Sequence, residues 1–251
     1  MANRTEYEPR LAILGVDPGD ERSKKLVSYL AEGGYQAGSV SIEELAANRP
    51  SGIVLDISPF SDDGWGKLLE LKNNRALRNI PVLPLFLSET GEVGGVFPAA
   101  GFFVMPGDEQ FILERLAVLG LTEEAETWDL QVMIAGDNIA SSVINALESA
   151  GFDVVRAYNG KEALALASIH PCYFFVSTLE LQDMIAFELF EKLKLYPYNR
   201  NAPMFVLMNS EMSERVKKEL SCDVASLVSK RHLSATEVIS FLKRKNQADI
   251  T

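Results

Sequence analysis

Apolar residues fall along this chain in short runs separated by stretches of helical spacing, and the whole alternation occurs twice. Residues 11–16 form an apolar run that ends in Asp17-Pro18-Gly19-Asp20, a strand followed by a turn. Leu26, Val27, Leu30 and Ala31 then recur at helical spacing until Gly33-Gly34 stops the pattern. A strand is expected near 37–40, a helix over 42–47, a buried strand over 52–57, a helix over 65–77 and a strand over 81–87. Residues 102–104 read as the last strand of this half and 111–119 as its last helix. The segment 90–101 breaks the rhythm. Gly91, Gly94, Gly95, Pro98 and Gly101 are too much glycine and proline for a stable helix, so the fourth helix is expected to be short, distorted or absent.

The second half repeats the plan. A strand over 131–135 ends in Gly136-Asp137-Asn138, and Ile139, Val143, Ala146, Leu147 and Ala150 mark a helix that stops at Gly151. A strand over 154–157 leads through the turn Asn159-Gly160 to a helix over 161–167. A buried strand over 173–177, a helix over 186–194, a strand over 203–208, a helix over 213–220 and a strand over 226–229 follow. The last helix opens at Ser234, with Glu237 three residues on as a capping box. Each half, 9–121 and 129–246, is therefore expected to be one (βα)₅ domain with a parallel sheet and helices on both faces. Residues 122–128, which include Trp128, are expected to be a linker or a continuation of the preceding helix.

Composition narrows the classes. The 251 residues suit two small domains. The net charge is −11, with 11 of the 24 basic and 17 of the 35 acidic residues in 1–121, so neither half is basic and nucleic acid is not an expected partner. Lys217-Lys218 and Lys243-Arg244-Lys245 read as solvated helix faces. The cysteines, Cys172 and Cys222, make no disulfide framework. No signal peptide and no membrane-length apolar run are visible, so a cytoplasmic setting is the expectation. His170 and His232 share no metal-ligand spacing with a cysteine. No Gly-rich phosphate loop with its lysine and no nucleophile elbow occur, and no enzyme is expected.

The repeated plan resembles response-regulator receiver domains. In the second half the resemblance rests on Ala150-Gly151-Phe152, on Tyr158 through Leu164 (Tyr-Asn-Gly-Lys-Glu-Ala-Leu) and on Phe187-Glu188-Leu189. In the first it rests on Gly34-Tyr35, Leu55-Asp56-Ile57, Asp63-Gly64, Ile80-Pro81-Val82 and Met105-Pro106. It implies two flavodoxin-like (CheY-like) doubly wound (βα)₅ domains, each with strand order 2-1-3-4-5. It also implies a phosphoacceptor aspartate after the third strand, acids after the first strand that help to hold Mg²⁺, a hydroxyl after the fourth strand and a lysine after the fifth. Phosphoryl transfer depends on such positioning and charge neutralisation, and Mg²⁺ takes oxygen ligands.

Carried onto these residues, the resemblance makes Asp56 the candidate phosphoacceptor and Asp17, Asp20 and Asp56 the candidate Mg²⁺ ligands. Pro18 stands where a second acid belongs, and Met105 stands for the lysine. Phe86 occupies the hydroxyl position, with Ser88 two residues on as a candidate phosphoryl contact. In the second half Thr178 replaces the acceptor, Asp137 is the remaining acid and Met208 replaces the hydroxyl. Lys230 matches the lysine, and reads as a phosphoryl contact, a surface lysine or a partner of Asp137. Methionine cannot donate a hydrogen bond to a phosphoryl oxygen.

The expectation is a tandem degenerate receiver in two-component or phosphorelay signalling that acts mainly through protein contacts. The candidate partners are a histidine kinase or an output protein, with a second copy of the chain as a further option. The alternatives are a regulator phosphorylated on Asp56 with Mg²⁺, and the receiver portion of a longer regulator.

Overall fold

The computed structural model describes residues 10–122 and 130–248; Trp128 and nearly all of the expected linker lie outside them. The fold is α/β, with two mostly parallel sheets of five strands each. The chain divides into two compact units, but not at its midpoint. One comprises 10–97 with 217–244, and the other comprises 98–122 and 130–216 with 245–248.

The first unit opens with β1 (Arg10–Leu14), α1 (Glu21–Glu32), β2 (Gln36–Ser39), α2 (Ile42–Ala47), β3 (Gly52–Asp56), α3 (Gly64–Asn73) and β4 (Val82–Leu87). Local chemistry sets the boundaries. The Asp20 side chain caps α1 by accepting from the Arg22 amide, and Gly34 leaves the helix at a φ of +80°. Next comes β5 (Val93–Val96), inside the glycine-rich segment where the fourth helix was expected to fail. Serine and glycine close the β4–β5 hairpin: the Ser88 amide donates to the Glu92 carbonyl at 2.9 Å, and Gly91 has a φ of +85°. β5 pairs antiparallel with β4, so the order β2-β1-β3-β4-β5 matches the expected 2-1-3-4-5 while the sheet is mixed rather than all parallel.

The second unit begins with β6 (Gly101–Met105) and α4 (Glu109–Val118), and continues with β7 (Gln131–Ala135), α5 (Ser141–Ser149), β8 (Asp153–Ala157), α6 (Gly160–Ala167), β9 (Phe174–Thr178), α7 (Ala186–Leu193) and β10 (Met204–Asn209). Its sheet runs β6-β10-β9-β7-β8, not the expected order built from the second half alone. β6 pairs parallel with β10, Phe103 opposite Leu207, and so fills the fifth-strand position next to strands of the other half. Phe111, Ile112 and Leu116 of α4 join the core formed with Val132, Ile134, Val143 and Leu147.

The exchange is reciprocal. The last two helices, α8 (Glu214–Val228) and α9 (Ala235–Ala248), follow β10, yet residues 217–244 belong to the first unit. Ala235, Val238, Ile239 and Leu242 share a core with Leu11, Ile13, Leu26 and Leu30. The capping box expected at the start of α9 is present: the Ser234 amide donates to Glu237 at 2.8 Å, and the Glu237 amide donates to Ser234 Oγ at 3.3 Å. Two expectations are corrected here. The strand expected over 226–229 is largely the end of α8, whose buried Leu220, Ser221, Val224 and Val228 keep helical spacing. The domains expected over 9–121 and 129–246 are not the compact units, because each half lends the other its closing elements. Within the first unit α8 is fixed to α3: Trp65 Nε1 donates to Ser221 Oγ at 3.1 Å, and Lys217 pairs with Asp63 at 3.0 Å.

Candidate functional site

Asp56 ends β3, and its carboxylate has no exposed surface. Two glycines let the neighbouring backbone close over it. A Cβ on Gly15 would lie 2.7 Å from the Asp56 carbonyl oxygen, and one on Gly64 would lie 2.0 Å from it, so no larger residue fits either position without movement. Four donors converge on the carboxylate. The Ser58 amide reaches Oδ1 at 3.0 Å and the Leu87 amide reaches it at 3.2 Å; Ser58 Oγ reaches Oδ2 at 2.9 Å and Arg22 Nη1 reaches it at 3.3 Å. Burial still prevails and pushes the Asp56 carboxyl up to about 6, against the hydrogen bonds from Ser58 and Leu87 and the charge of Arg22.

Arg22 stands on the first turn of α1 and spends its guanidinium on three partners. Nε donates to Asp20 Oδ2 at 2.8 Å, Nη1 to Asp56, and Nη2 to the Phe60 carbonyl at 2.8 Å. Asp20 is held below its ordinary range by the Arg22 amide and then by the Arg22 side chain. Asp17 Oδ1 accepts from the Gly19 amide at 2.7 Å and shapes the exposed turn that contains Pro18. Among the described residues no three histidine, cysteine, aspartate or glutamate side chains form a group that could hold a metal ion. The expected Mg²⁺ set of Asp17, Asp20 and Asp56 is therefore not assembled. The reason is physical: a guanidinium already lies between the two carboxylates that converge.

Ser88 is not at Asp56 either. Its hydroxyl donates to Glu92 at 2.8 Å and pairs with Thr90 at 3.1 Å, which makes it part of the β4–β5 turn. Glu92 also pairs with Lys25 at 2.5 Å, and that lysine above all brings its carboxyl down to about 2. Lys230 is exposed just after α8, in the unit that holds Asp56; the Asp137 carboxylate, in the other unit, accepts from Gln182 Nε2 at 3.0 Å.

In the second unit, β9 ends at Thr178, whose hydroxyl donates to the Glu180 carbonyl at 2.6 Å. Met208 is buried near the end of β10, and Met105 ends β6 opposite Asn209. Met105, expected to spoil the first site, thus stands at the fifth-strand position of the second sheet, with a cis bond to Pro106. The strand ends of this unit offer a hydroxyl that is already used, one acid and two thioethers. Such a set has a hydroxyl, not a carboxylate, at the acceptor position that ends β9, and neither thioether can donate to a phosphoryl group. His170 Nδ1 lies 3.1 Å from Gln131 Oε1 at a loop, away from any metal-ligand cluster among the described residues.

The sequence signals marked Asp56 but missed Arg22 and Ser58. One signal for Arg22 exists. A cation in the first turn of a helix opposes the helix dipole, so it asks for a compensating anion.

No family model matches the chain, and no curated protein does. Among solved structures, the chain is similar to one described as a probable two-component system response regulator/GGDEF domain protein, at 15% identity over 93% of this chain and 100% of that one, with a TM-score of 0.30. It is also similar to a sugar transporter from Clostridium phytofermentans, at 12% identity over 91% and 95% of the two chains, with a TM-score of 0.29. Full-length ShkA in complex with AMPPNP is similar at 13% identity over 88% of this chain and 51% of that one, with a TM-score of 0.26. Scores this low carry no argument about fold or activity, so the chain's own geometry has to carry the function. Among the described residues, no helix is long and apolar enough to cross a membrane.

Proposed function

We propose that this protein is a non-catalytic signalling module of receiver-like design, in which Asp56 is a sealed, internally hydrogen-bonded group that accepts no phosphoryl group. It works by binding another signalling protein. The observation that carries this reading is the sealed state of Asp56: no exposed surface, two backbone amides, one serine hydroxyl and one guanidinium on its two oxygens. A phosphoryl donor needs in-line access to a carboxylate oxygen and a cation to neutralise the charge that moves. Here both oxygens are committed inward. The second unit supports the same reading, since Thr178 stands where an acceptor carboxylate would be and Met105 and Met208 stand where donors would be.

The test is the intact mass of the protein after incubation with acetyl phosphate and Mg²⁺, beside Asp56→Asn and a competent receiver labelled in parallel. The expected result is no phosphoryl-sized gain in the folded protein. A gain that disappears in Asp56→Asn would make Asp56 an acceptor and turn the protein into a phosphorylation-linked regulator.

A further inference from the structure

We infer that the guanidinium of Arg22 is a resident counter-ion that occupies the cation position between Asp20 and Asp56, so that the protein excludes divalent metal from its only sealed strand-end carboxylate among the described residues. The inference rests on reading Asp56 as sealed, but metal binding is measured without any phosphoryl donor, so the two can fail separately.

Three oxygen atoms from three parts of the chain converge on this one side chain. They are Asp20 Oδ2 at the start of α1, Asp56 Oδ2 at the end of β3, and the Phe60 carbonyl in the loop before α3. Two carboxylate oxygens and a carbonyl are hard oxygen ligands of the kind that divalent cations take. A guanidinium satisfies the same oxygens with one positive charge spread over a planar fork, and it is more weakly hydrated than an ammonium, which suits burial. The Arg22 side chain is 11% exposed and Asp56 is 0% exposed. A second cation at Asp56 Oδ2 would meet the positive charge of Arg22 Nη1, which already lies 3.3 Å from that oxygen. The same oxygen also accepts from Ser58 Oγ, so it has no open direction left. Asp17 Oδ1 accepts from the Gly19 amide, and Asp17 is not among the oxygens that converge on Arg22.

Removing the guanidinium should therefore uncover metal affinity that the native chain lacks. The experiment is a titration of the full-length protein with Mn²⁺, followed by paramagnetic broadening of the Ser58 and Leu87 backbone amides, both of which donate to Asp56. In the native protein both amides are expected to stay sharp through millimolar Mn²⁺. In Arg22→Gln both should broaden, with Mn²⁺ affinity tightening by about tenfold or more, the scale on which ligand charge sets divalent affinity. Adding Asp56→Asn in that background should remove the broadening, and Arg22→Lys, which keeps a cation, should resist it. Broadening in the native protein would overturn the inference whether or not any variant folds. A folded Arg22→Gln with sharp amides at the same Mn²⁺ concentration would overturn it as well.

Discussion

At the residue scale, the sealed carboxylate makes a pH prediction with an unusual sign. A carboxyl whose folded-state pKa is raised binds its proton more tightly in the folded protein than in the unfolded chain. Asp56 goes from the ordinary 3.8 up to about 6 because burial penalises its charged form. Its contribution to stability is therefore full below the unfolded value and is lost as pH rises through about 6, worth on the order of 3 kcal/mol across that window. Asp20 and Glu92 are shifted downward, so their contributions are present above their unfolded values and fade only in more acidic solution. Urea unfolding at pH 4 to 6.5 should show the native protein losing about 2 kcal/mol more than Asp56→Asn, the rest of the loss lying outside that window. Parallel pH profiles for the two proteins would mean that Asp56 is not buried as a high-pKa acid. The sequence marks this aspartate, because the apolar run 52–55 ends on it, but not its environment. Arg22 reaches it from 34 positions away, and no local spacing encodes which loops will close over a strand end.

At the element scale, the β4–β5 hairpin is the departure from regular alternation, and Gly94 is the residue that permits it. A Cβ there would sit 3.1 Å from Phe86 Cδ1 and 3.3 Å from both Cγ2 and the carbonyl oxygen of Val228, at the end of α8. Helix and hairpin thus approach each other over a position that has no side chain. Gly94→Val should overpack this contact and cost about 1–3 kcal/mol, read as a fall in the urea midpoint at unchanged slope. Gly38 on β2 has nothing within 4 Å of a Cβ, so Gly38→Val should leave the midpoint nearly unchanged. Equal losses at the two positions would show that strand glycines here matter for reasons other than the close approach. What the sequence reveals at this scale is mixed. Glycine and proline in 90–101 predict a helix that is short, distorted or absent, but they do not say that Val93 and Val96 will pair back onto β4. Residues 226–229 look like a strand because Leu227 and Val228 are adjacent and apolar. The longer spacing of Leu220, Val224 and Val228 is the stronger signal, and it is helical.

At the scale of the whole molecule, the exchange of closing elements decides how damage spreads along the chain. Periodicity reports which face of an element is buried, not which sheet buries it; the first half closes with a strand and a helix and the second with two helices, and nothing in their spacing names the sheet each one joins. The repeat is therefore legible while the exchange is not. It has a direct consequence. Leu242 near the chain's end is packed with Leu11, Ile13 and Val54, and Leu116 in the first half is packed with Val132, Ile134 and Leu147. Leu242→Ala should cost about 2–5 kcal/mol through the lost burial and the cavity it leaves. Native-state hydrogen exchange should place that loss in β1 and β3, more than 180 residues upstream, and spare β7 and β9. Leu116→Ala should do the reverse, weakening β7 and β9 and sparing β1 and β3. Two independent tandem domains would give the opposite assignment for both variants, so the pair of exchange maps decides between the architectures. If Leu242→Ala lowers protection in β7 and β9 first, the closing helix belongs to its own half and the exchange is wrong. If each variant acts across the midpoint, each compact unit needs residues from both halves of the chain to complete its core.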